Sequence, residues 1–377
     1  MAAGFTQQQT DARFMRAALT LAARGLGQVA PNPSVGCIIV ADDAGTPIVV
    51  GRGWTQPCGR PHAETEALRR AGNKTRGATV YVTLEPCAHS GKTGPCAQAL
   101  IEAGAARVVV ACGDPDDRVN GKGIQMLRGA GIEVTAGVLE AEARELNAGF
   151  MTRVTAQRPL VILKIASTLD GKIATHTGKS HWITGDMARE RTHLMRAQAD
   201  AIMVGSATAI VDDPQLTCRL PGLSHRSPIR VIADGRLRLP LTSKLVQSAR
   251  EHRLIVLTRG DAERHRHDAF EDLGVELVDV PVGADNRMDM TKALVLLAGL
   301  GITRVMVEGG ARLAASLLRA DLVDRIEWFQ APKIIGDDGY SAVAGLGLDD
   351  IDLDAGYEQV AVTPLGEDVL TSLRVRT

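Results

Sequence analysis

ATVYVTLEPCAHSGKTGPCAQALIEAGAARVVVACGDP, residues 78–115, reads as strand, loop, helix and strand in turn. "ATVYVTLEP" and "RVVVACGDP" carry the β-branched and aromatic residues of strands. The segment between them, "CAQALIEAG", has the apolar spacing of a helix. The same alternation extends to both sides. Upstream lie a helical pattern, "DARFMRAALTLAARGL" at 11–26, a strand with a turn after it, "SVGCIIVAD" at 34–42, and a helix after Pro61. Downstream come a helix near "GIQMLRGAG" and the strand "IEVTAGV". Strands alternating with helices of this length argue for an α/β fold, a wound sheet covered on both faces.

At 377 residues the chain is long for one core, and two domains are expected. "AEARELNAGFMTRVTAQRP" at 141–159 reads as a helix running into a polar connection, which gives domains at 1–152 and 158–377. The second half restarts with "LVILKIAST" at 160–168 and alternates again through "AIMVGS", "IRVIAD", "LIVLTRG", "VELVDVP" and "RVMVEGG". It ends in β-rich sequence at 356–376. No repeat of 20–50 residues breaks this pattern.

Composition excludes several classes. Residues 1–150 hold 15 basic against 14 acidic side chains and the remainder 28 against 30, so neither half offers the basic field of a nucleic-acid binder. Aromatics, at 3%, are too scarce for stacking platforms. The run "ERHRH" at 263–267 reads as a solvated helix face. No apolar run approaches the roughly 20 residues of a membrane span, and the first residues lack the pattern of a signal peptide. Six cysteines make no disulfide framework, so a cytoplasmic setting is expected.

The chemistry concentrates around "RPHAETEAL" at 60–68 and "EPCAHSGKTGPC" at 85–96. His62 follows a proline at a helix mouth, and Cys87 and Cys96 each follow a proline too. At a helix mouth, free N–H groups and the positive dipole end favour the thiolate that a metal wants. One imidazole and two thiolates make a three-ligand zinc site with an open fourth position, the catalytic arrangement. Glu64 lies too near His62 for a comfortable fourth ligand but near enough to move a proton there. His-x-Glu followed by Pro-Cys-x-x-Cys is the signature of zinc deaminases. Here eight residues, not two, separate the cysteines. Cys58 is a rival ligand, while Cys37, Cys112 and Cys218 read as packing residues.

With that spacing the sequence resembles the bacterial bifunctional riboflavin-pathway deaminase–reductases, the RibD family. The resemblance rests on "PNPSVGC" at 31–37, "PHAE" at 61–64, "EPCAHSGKTGPC" at 85–96 and "LNAGF" at 146–150 in the first half. In the second half it rests on "KIASTLDGKIATHTGKSHWITG" at 164–185, "MRAQADAIMVGSATAIVDDPQLTCR" at 195–219, "PIRVIADGRLRLP" at 228–240, "VEGG" at 307–310 and "LVDRIEWFQAPKIIG" at 322–336. It implies a cytidine-deaminase-like domain followed by a dihydrofolate-reductase-like domain, with Zn2+ and NADPH as cofactors. His62, Cys87 and Cys96 would bind zinc, and Glu64 would shuttle protons. Asn32, His89 and Lys92 would meet the first substrate.

In the second domain, Ala166, Trp182, Thr208, Asp212, Gly235 and the turn Gly310, Ala311, Arg312, Leu313, Ala314, Ala315, Ser316 would meet NADPH. Lys164, Ser180, Arg196, Leu216, Arg219 and Glu308 would hold the second substrate, and two arginines suit a sugar phosphate. The implied partner is a small phosphoribosylamino-pyrimidine, with no nucleic acid and no membrane, and a homo-oligomer is expected. Three positions depart from the family pattern: Gly94 stands in place of proline, Thr168 in place of serine or a similar small residue, and Gly235 in place of serine. Two other readings stay open on the residues alone. One is a deaminase that edits tRNA; the other is a C-terminal domain that only supports or oligomerises the first.

Overall fold

The computed structural model describes residues 6–89, 94–283, 286–350 and 356–376. Two compact units divide the chain, Met1–Gln157 and Arg158–Thr377. The first unit takes in the whole helix Ala148–Ala156, because Phe150, Met151 and Val154 pack on the first core.

In the first unit, β1 (Gly36–Asp43) and β2 (Thr46–Trp54) form a hairpin, and β3 (Thr79–Val82), β4 (Arg107–Val110) and β5 (Glu133–Ala136) follow with helical connections. The sheet order is β2-β1-β3-β4-β5. β1 runs antiparallel to both neighbours, while β3, β4 and β5 are parallel. The sheet is therefore mixed, with an antiparallel hairpin on one edge. β2 is the strand that sequence pattern passed over. Its glycines look like breakers, yet a Cβ on Gly51 would stand 2.5 Å from Ala67 O and one on Gly53 2.0 Å from Ala63 O. Glycine here lets the helix Ala63–Ala71 lie directly on the strand.

The second unit carries β6 (Leu160–Thr168), β7 (Lys172–Ala174), β8 (Ala201–Gly205), β9 (Ile229–Ala233), β10 (Leu254–Thr258), β11 (Glu276–Asp279), β12 (Arg304–Val307), β13 (Arg325–Ala331), β14 (Tyr340–Ser341), β15 (Tyr357–Leu365) and β16 (Asp368–Val375). Nine of them form one sheet in the order β11-β10-β9-β8-β12-β6-β13-β16-β15, and β14 pairs with β7 apart from it. From β11 to β13 every pairing is parallel; β16 and β15 close the edge as an antiparallel hairpin. All five residues of β10 are buried, the mark of a parallel strand covered on both faces. Parallel strands aim their C-terminal ends at one rim, where open α/β sheets hold ligands.

Candidate active sites

In the first unit His62 is the N-cap of the helix Ala63–Ala71, and Cys96 is the first residue of the helix Cys96–Glu102. Cys87 lies in the loop that leaves β3. Their ligand atoms all stand within 4.8 Å of one another, with Cys96 Sγ 3.2 Å and Cys87 Sγ 3.8 Å from His62 Nδ1. Donors bonded to zinc at 2.0–2.3 Å stand roughly 3.3–3.8 Å apart in a tetrahedron, so this set fits the ion. Cys58 is exposed and falls outside the cluster.

The loop is pinned from behind. The buried carboxylate of Glu85 accepts from Gly121 N at 2.9 Å, Gly123 N at 2.9 Å and Ile124 N at 3.1 Å. A Cβ on Gly123 would stand 1.9 Å from Pro86 O, so only glycine permits this approach. Cys96 N donates to Cys87 Sγ at 3.3 Å and Ala97 N to Cys87 O at 3.2 Å. The Cys87 thiol is drawn down to about 4, first by its bond to the Cys96 side chain, against burial, with His62 helping. Cys96 is pushed far up by the same bond and by burial.

Glu64, only 4% exposed, sits in the first turn of the helix that His62 caps. Burial pushes its carboxyl up to about 7, with His62 pulling back and Cys87 adding. Asn32 packs its side-chain amide on Gly59, within the turn that leads into His62. The Nδ1 of His89 is buried without a hydrogen-bond partner among the described residues. Lys92 lies outside the described residues. Gly94 faces open space, so its departure from proline displaces nothing. Asp114, which sequence reading did not single out, is buried in the loop after β4, and burial pushes its carboxyl up to about 6. Its signal was "GDPDD" at the end of a strand neighbouring the one that delivers Cys87.

In the second unit Glu308 follows β12, whose Val307 pairs with Leu163 of β6, and this register sets Glu308 beside Lys164. Arg196, on the helix Asp186–Gln198, grips Glu308 with two bonds, Nε to Oε1 at 2.7 Å and Nη2 to Oε2 at 2.8 Å. Its Nη1 donates to Thr217 O at 3.0 Å. Burial pushes the Glu308 carboxyl up, but Arg196 and Lys164 bring it below its ordinary value. Burial lowers Lys164, opposed by Glu308. Arg219 N donates to His193 Nδ1 at 3.2 Å, and that imidazole is held down to about 4 by burial, Arg196 and Arg219. His193 was missed in the sequence, although it lies three residues before Arg196 on the same helix face. Leu216 is buried with φ +55°, which turns the chain toward Arg219.

Around the proposed cofactor side, Gly309 and Gly310 make the turn after β12, with φ +109° and +91°. The helix Ala311–Arg319 starts there. Leu313, Ala314 and Ala315 point into the core, and Ala314 N already donates to Gly310 O at 3.0 Å, so this stretch offers a ligand the N–H groups of its first turn. A Cβ on Gly310 would stand 3.4 Å from Thr208 Oγ1, which places Thr208 at the same turn. Ala166 is half-buried on β6, Ser180 is half-buried, Asp212 is exposed and Trp182 is 63% exposed, with the Arg189 guanidinium 4.6 Å above its ring. Thr168, the second departure, accepts from Lys172 N at 2.9 Å and donates to Asp170, closing the turn after β6.

Comparison with known proteins follows the same division. The family model for the RibD C-terminal domain matches residues 159–371, and that for the cytidine and deoxycytidylate deaminase zinc-binding region matches residues 8–112. The riboflavin biosynthesis protein RibD of Aquifex aeolicus is 42% identical over 96% of this chain and 98% of its own length. That of Escherichia coli is 38% identical over 96% and 99%. A solved Thermotoga maritima diaminohydroxyphosphoribosylaminopyrimidine deaminase/5-amino-6-(5-phosphoribosylamino)uracil reductase is 37% identical, covering 98% of this chain and all of its own, with a TM-score of 0.85. With zinc-type donors in the first unit, a glycine turn and buried ion pair in the second, and relatives matched end to end, the chain belongs to the RibD family of riboflavin biosynthesis proteins.

Proposed function

We propose that the deaminase and reductase activities of this bifunctional enzyme divide between its two units, Met1–Gln157 and Arg158–Thr377. The first hydrolyses 2,5-diamino-6-ribosylamino-4(3H)-pyrimidinone 5′-phosphate, with water entering and ammonia leaving. His62 Nδ1, Cys87 Sγ and Cys96 Sγ would hold zinc. Zinc supplies, when bound, the Lewis acidity that makes water a nucleophile near neutral pH. The Glu64 carboxylate takes the proton from water and returns it to the departing ammonia. Asn32, His89 and Lys92 orient the pyrimidine and its phosphate.

The second unit reduces the ribosyl group of the deaminated product to ribityl, using hydride from NADPH and one proton. Arg196 and Arg219 bind and orient the sugar phosphate with Ser180 and Leu216, while Lys164 and Glu308 stand at the reacting carbon. Ala166, Trp182, Thr208, Asp212, Gly235 and the Gly310–Ser316 stretch would hold NADPH, the first-turn N–H groups offering donors to its phosphates, and it would supply the hydride. The enzyme is proposed to work in the cytoplasm as a homo-oligomer. All six cysteines are free, which supports a reducing compartment, and no helix among the described residues is long and apolar enough to cross a membrane.

One observation carries the reading: three metal-donor atoms within 4.8 Å of one another, with a buried carboxylate two residues from one of them. The test supplies the diaminopyrimidine with and without NADPH and follows ammonia and NADPH separately. Ammonia should appear without NADPH, and NADPH should be consumed only after it. Absence of ammonia, or a salt-sensitive complex with tRNA in its place, overturns the reading.

A further inference from the structure

Of the two arginines assigned to the sugar phosphate, one is already engaged. Arg196 gives Nε and Nη2 to Glu308 and Nη1 to Thr217 O, so its fork is turned inward. Arg219 is exposed, and its guanidinium has no hydrogen-bond partner among the described residues. Partial burial and the charge of Arg196 hold it below its ordinary range. It is the guanidinium left to meet an anion, and where its main chain stands decides where that fork can reach.

The chain arrives at Arg219 through Leu216, Thr217 and Cys218, all buried. Thr217 and Cys218 are held without any imidazole. Thr217 O accepts from Arg196 Nη1 at 3.0 Å, Cys218 N donates to Ser227 Oγ at 3.1 Å, and Cys218 Sγ donates to the main-chain oxygen of His193 at 3.3 Å. Arg219 is held differently. Its N–H donates to His193 Nδ1 at 3.2 Å, a side-chain acceptor one turn before Arg196 on the same helix. Beyond it the chain enters a turn, closed by Leu223 N on Leu220 O at 3.0 Å, whose Pro221 and Gly222 are exposed. The imidazole therefore fixes the segment at the point where it leaves the core. Removing that ring would free Arg219 and leave the bonds of Thr217 and Cys218 in place.

We propose that His193 is a positioning residue for the reductase, anchoring the backbone N–H of Arg219 so that the free guanidinium faces the substrate phosphate. The role needs the neutral ring, because an imidazolium has no lone pair with which to accept. Burial, Arg196 and Arg219 keep it neutral, holding its pKa down to about 4. The inference rests on the reading of Arg219 as a substrate residue and adds the group that aims it. Side-chain chemistry separates this role from simple packing. Asparagine places an amide oxygen as many bonds from Cα as Nδ1 is, whereas leucine fills similar space and accepts nothing.

Steady-state reduction of the deaminated ribosylamino-uracil phosphate by the full chain tests this. The proteins compared are the wild type, His193→Leu, His193→Asn, Arg219→Ala and the His193→Leu, Arg219→Ala double variant. His193→Leu should raise KM on the order of 10-fold with a smaller change in kcat, since the phosphate is gripped in ground and transition state alike. His193→Asn should restore most of the loss. The double variant should be no worse than Arg219→Ala alone, because the imidazole acts only through that arginine. NADPH affinity by titration should be the same in every protein, which also shows that the second unit is folded; His193→Ala replaces His193→Leu if leucine disturbs it. Additive losses in the double variant, an unchanged KM without the imidazole, or no recovery with asparagine overturns the inference. A loss of NADPH affinity in both the leucine and the alanine variants does so too, since His193 would then be a general support of the fold. If Arg219→Ala itself leaves KM unmoved, the reading of that arginine as a substrate residue falls as well.

Discussion

Replacing Glu308 by glutamine should destabilise the second unit alone, and by an amount the geometry sets. The Glu308 side chain is 8% exposed and that of Arg196 12%, and two short bonds join them. Glutamine keeps the shape but presents an NH2 group to a guanidinium, and it leaves Arg196 and the half-buried Lys164 without their shared counter-charge. Removing one partner of a buried pair costs about 3–5 kcal/mol. Arg196 retains Thr217 O, so the lower figure applies. For a unit of this size, about 3 kcal/mol corresponds to a fall in Tm of roughly 6–12 °C. Differential scanning calorimetry reads it, and the second unit's transition is recognised as the one that NADPH raises.

Adding Lys164→Met to Glu308→Gln should recover part of the loss by removing an orphaned cation. The pH dependence follows from the same pair. The Glu308 carboxyl lies below its ordinary 4.5 in the folded chain, so its contribution is complete above that pH and is lost as pH falls through the folded value. The difference between wild type and variant should therefore shrink in acid. A Tm change under about 2 °C, or one that falls on the other transition, would refute the reasoning.

Cys87→Ser should strip zinc from a protein that otherwise copurifies with about one ion per chain, because a hydroxyl is a poor substitute for a thiolate; full occupancy by elemental analysis in a His62→Ala, Cys87→Ser double variant would count against the ligand set. Glu64→Gln should keep its zinc while ammonia release falls on the order of 10²-fold or more, and retained activity would mean another group carries the proton. Arg219→Ala should still release ammonia from the diamino substrate but reduce the product poorly, with a loss of roughly 10- to 150-fold in kcat/KM; abolished deamination with intact reduction would move this arginine to the first site.

Much of this molecule is legible in the chain because its signals are local. Buried parallel strands such as "LIVLT" are continuous apolar runs, and His62, Cys87 and Cys96 each follow a proline at a turn or helix start. What escaped depends on partners distant in sequence. β2 is hidden by Gly51 and Gly53, whose meaning comes from a helix packed on them. Asp114 and His193 are ordinary residues until neighbouring strands and Arg219 surround them. "ERHRH" read as solvent-facing because nothing in its own sequence announces the carbonyls of Leu237 and Leu239, to which Arg266 donates at 2.7 and 3.0 Å. Gly235, a bare departure in the sequence, gains its meaning from the arm of Arg259, whose Cγ would stand 3.2 Å from a Cβ there.

The three backbone hydrogen bonds received by Glu85 bear on how the first site meets its metal. In a zinc finger the ion organises the polypeptide, and chelation undoes the fold. Here the segment before Cys87 is anchored to the start of the helix Lys122–Gly129, and Cys87 itself is bonded to the backbone N–H of Cys96. The contacts that position the donors are protein–protein hydrogen bonds in which the ion takes no part. Their ordering entropy is then part of folding and is not charged against metal affinity. The site behaves as a socket: a chelator should empty it, leave the unit's thermal transition cooperative, and allow activity to return on simple addition of zinc without refolding. Glu85→Ala would turn the socket into a hinge, so that metal exchange quickens and affinity falls even though no ligand has been touched.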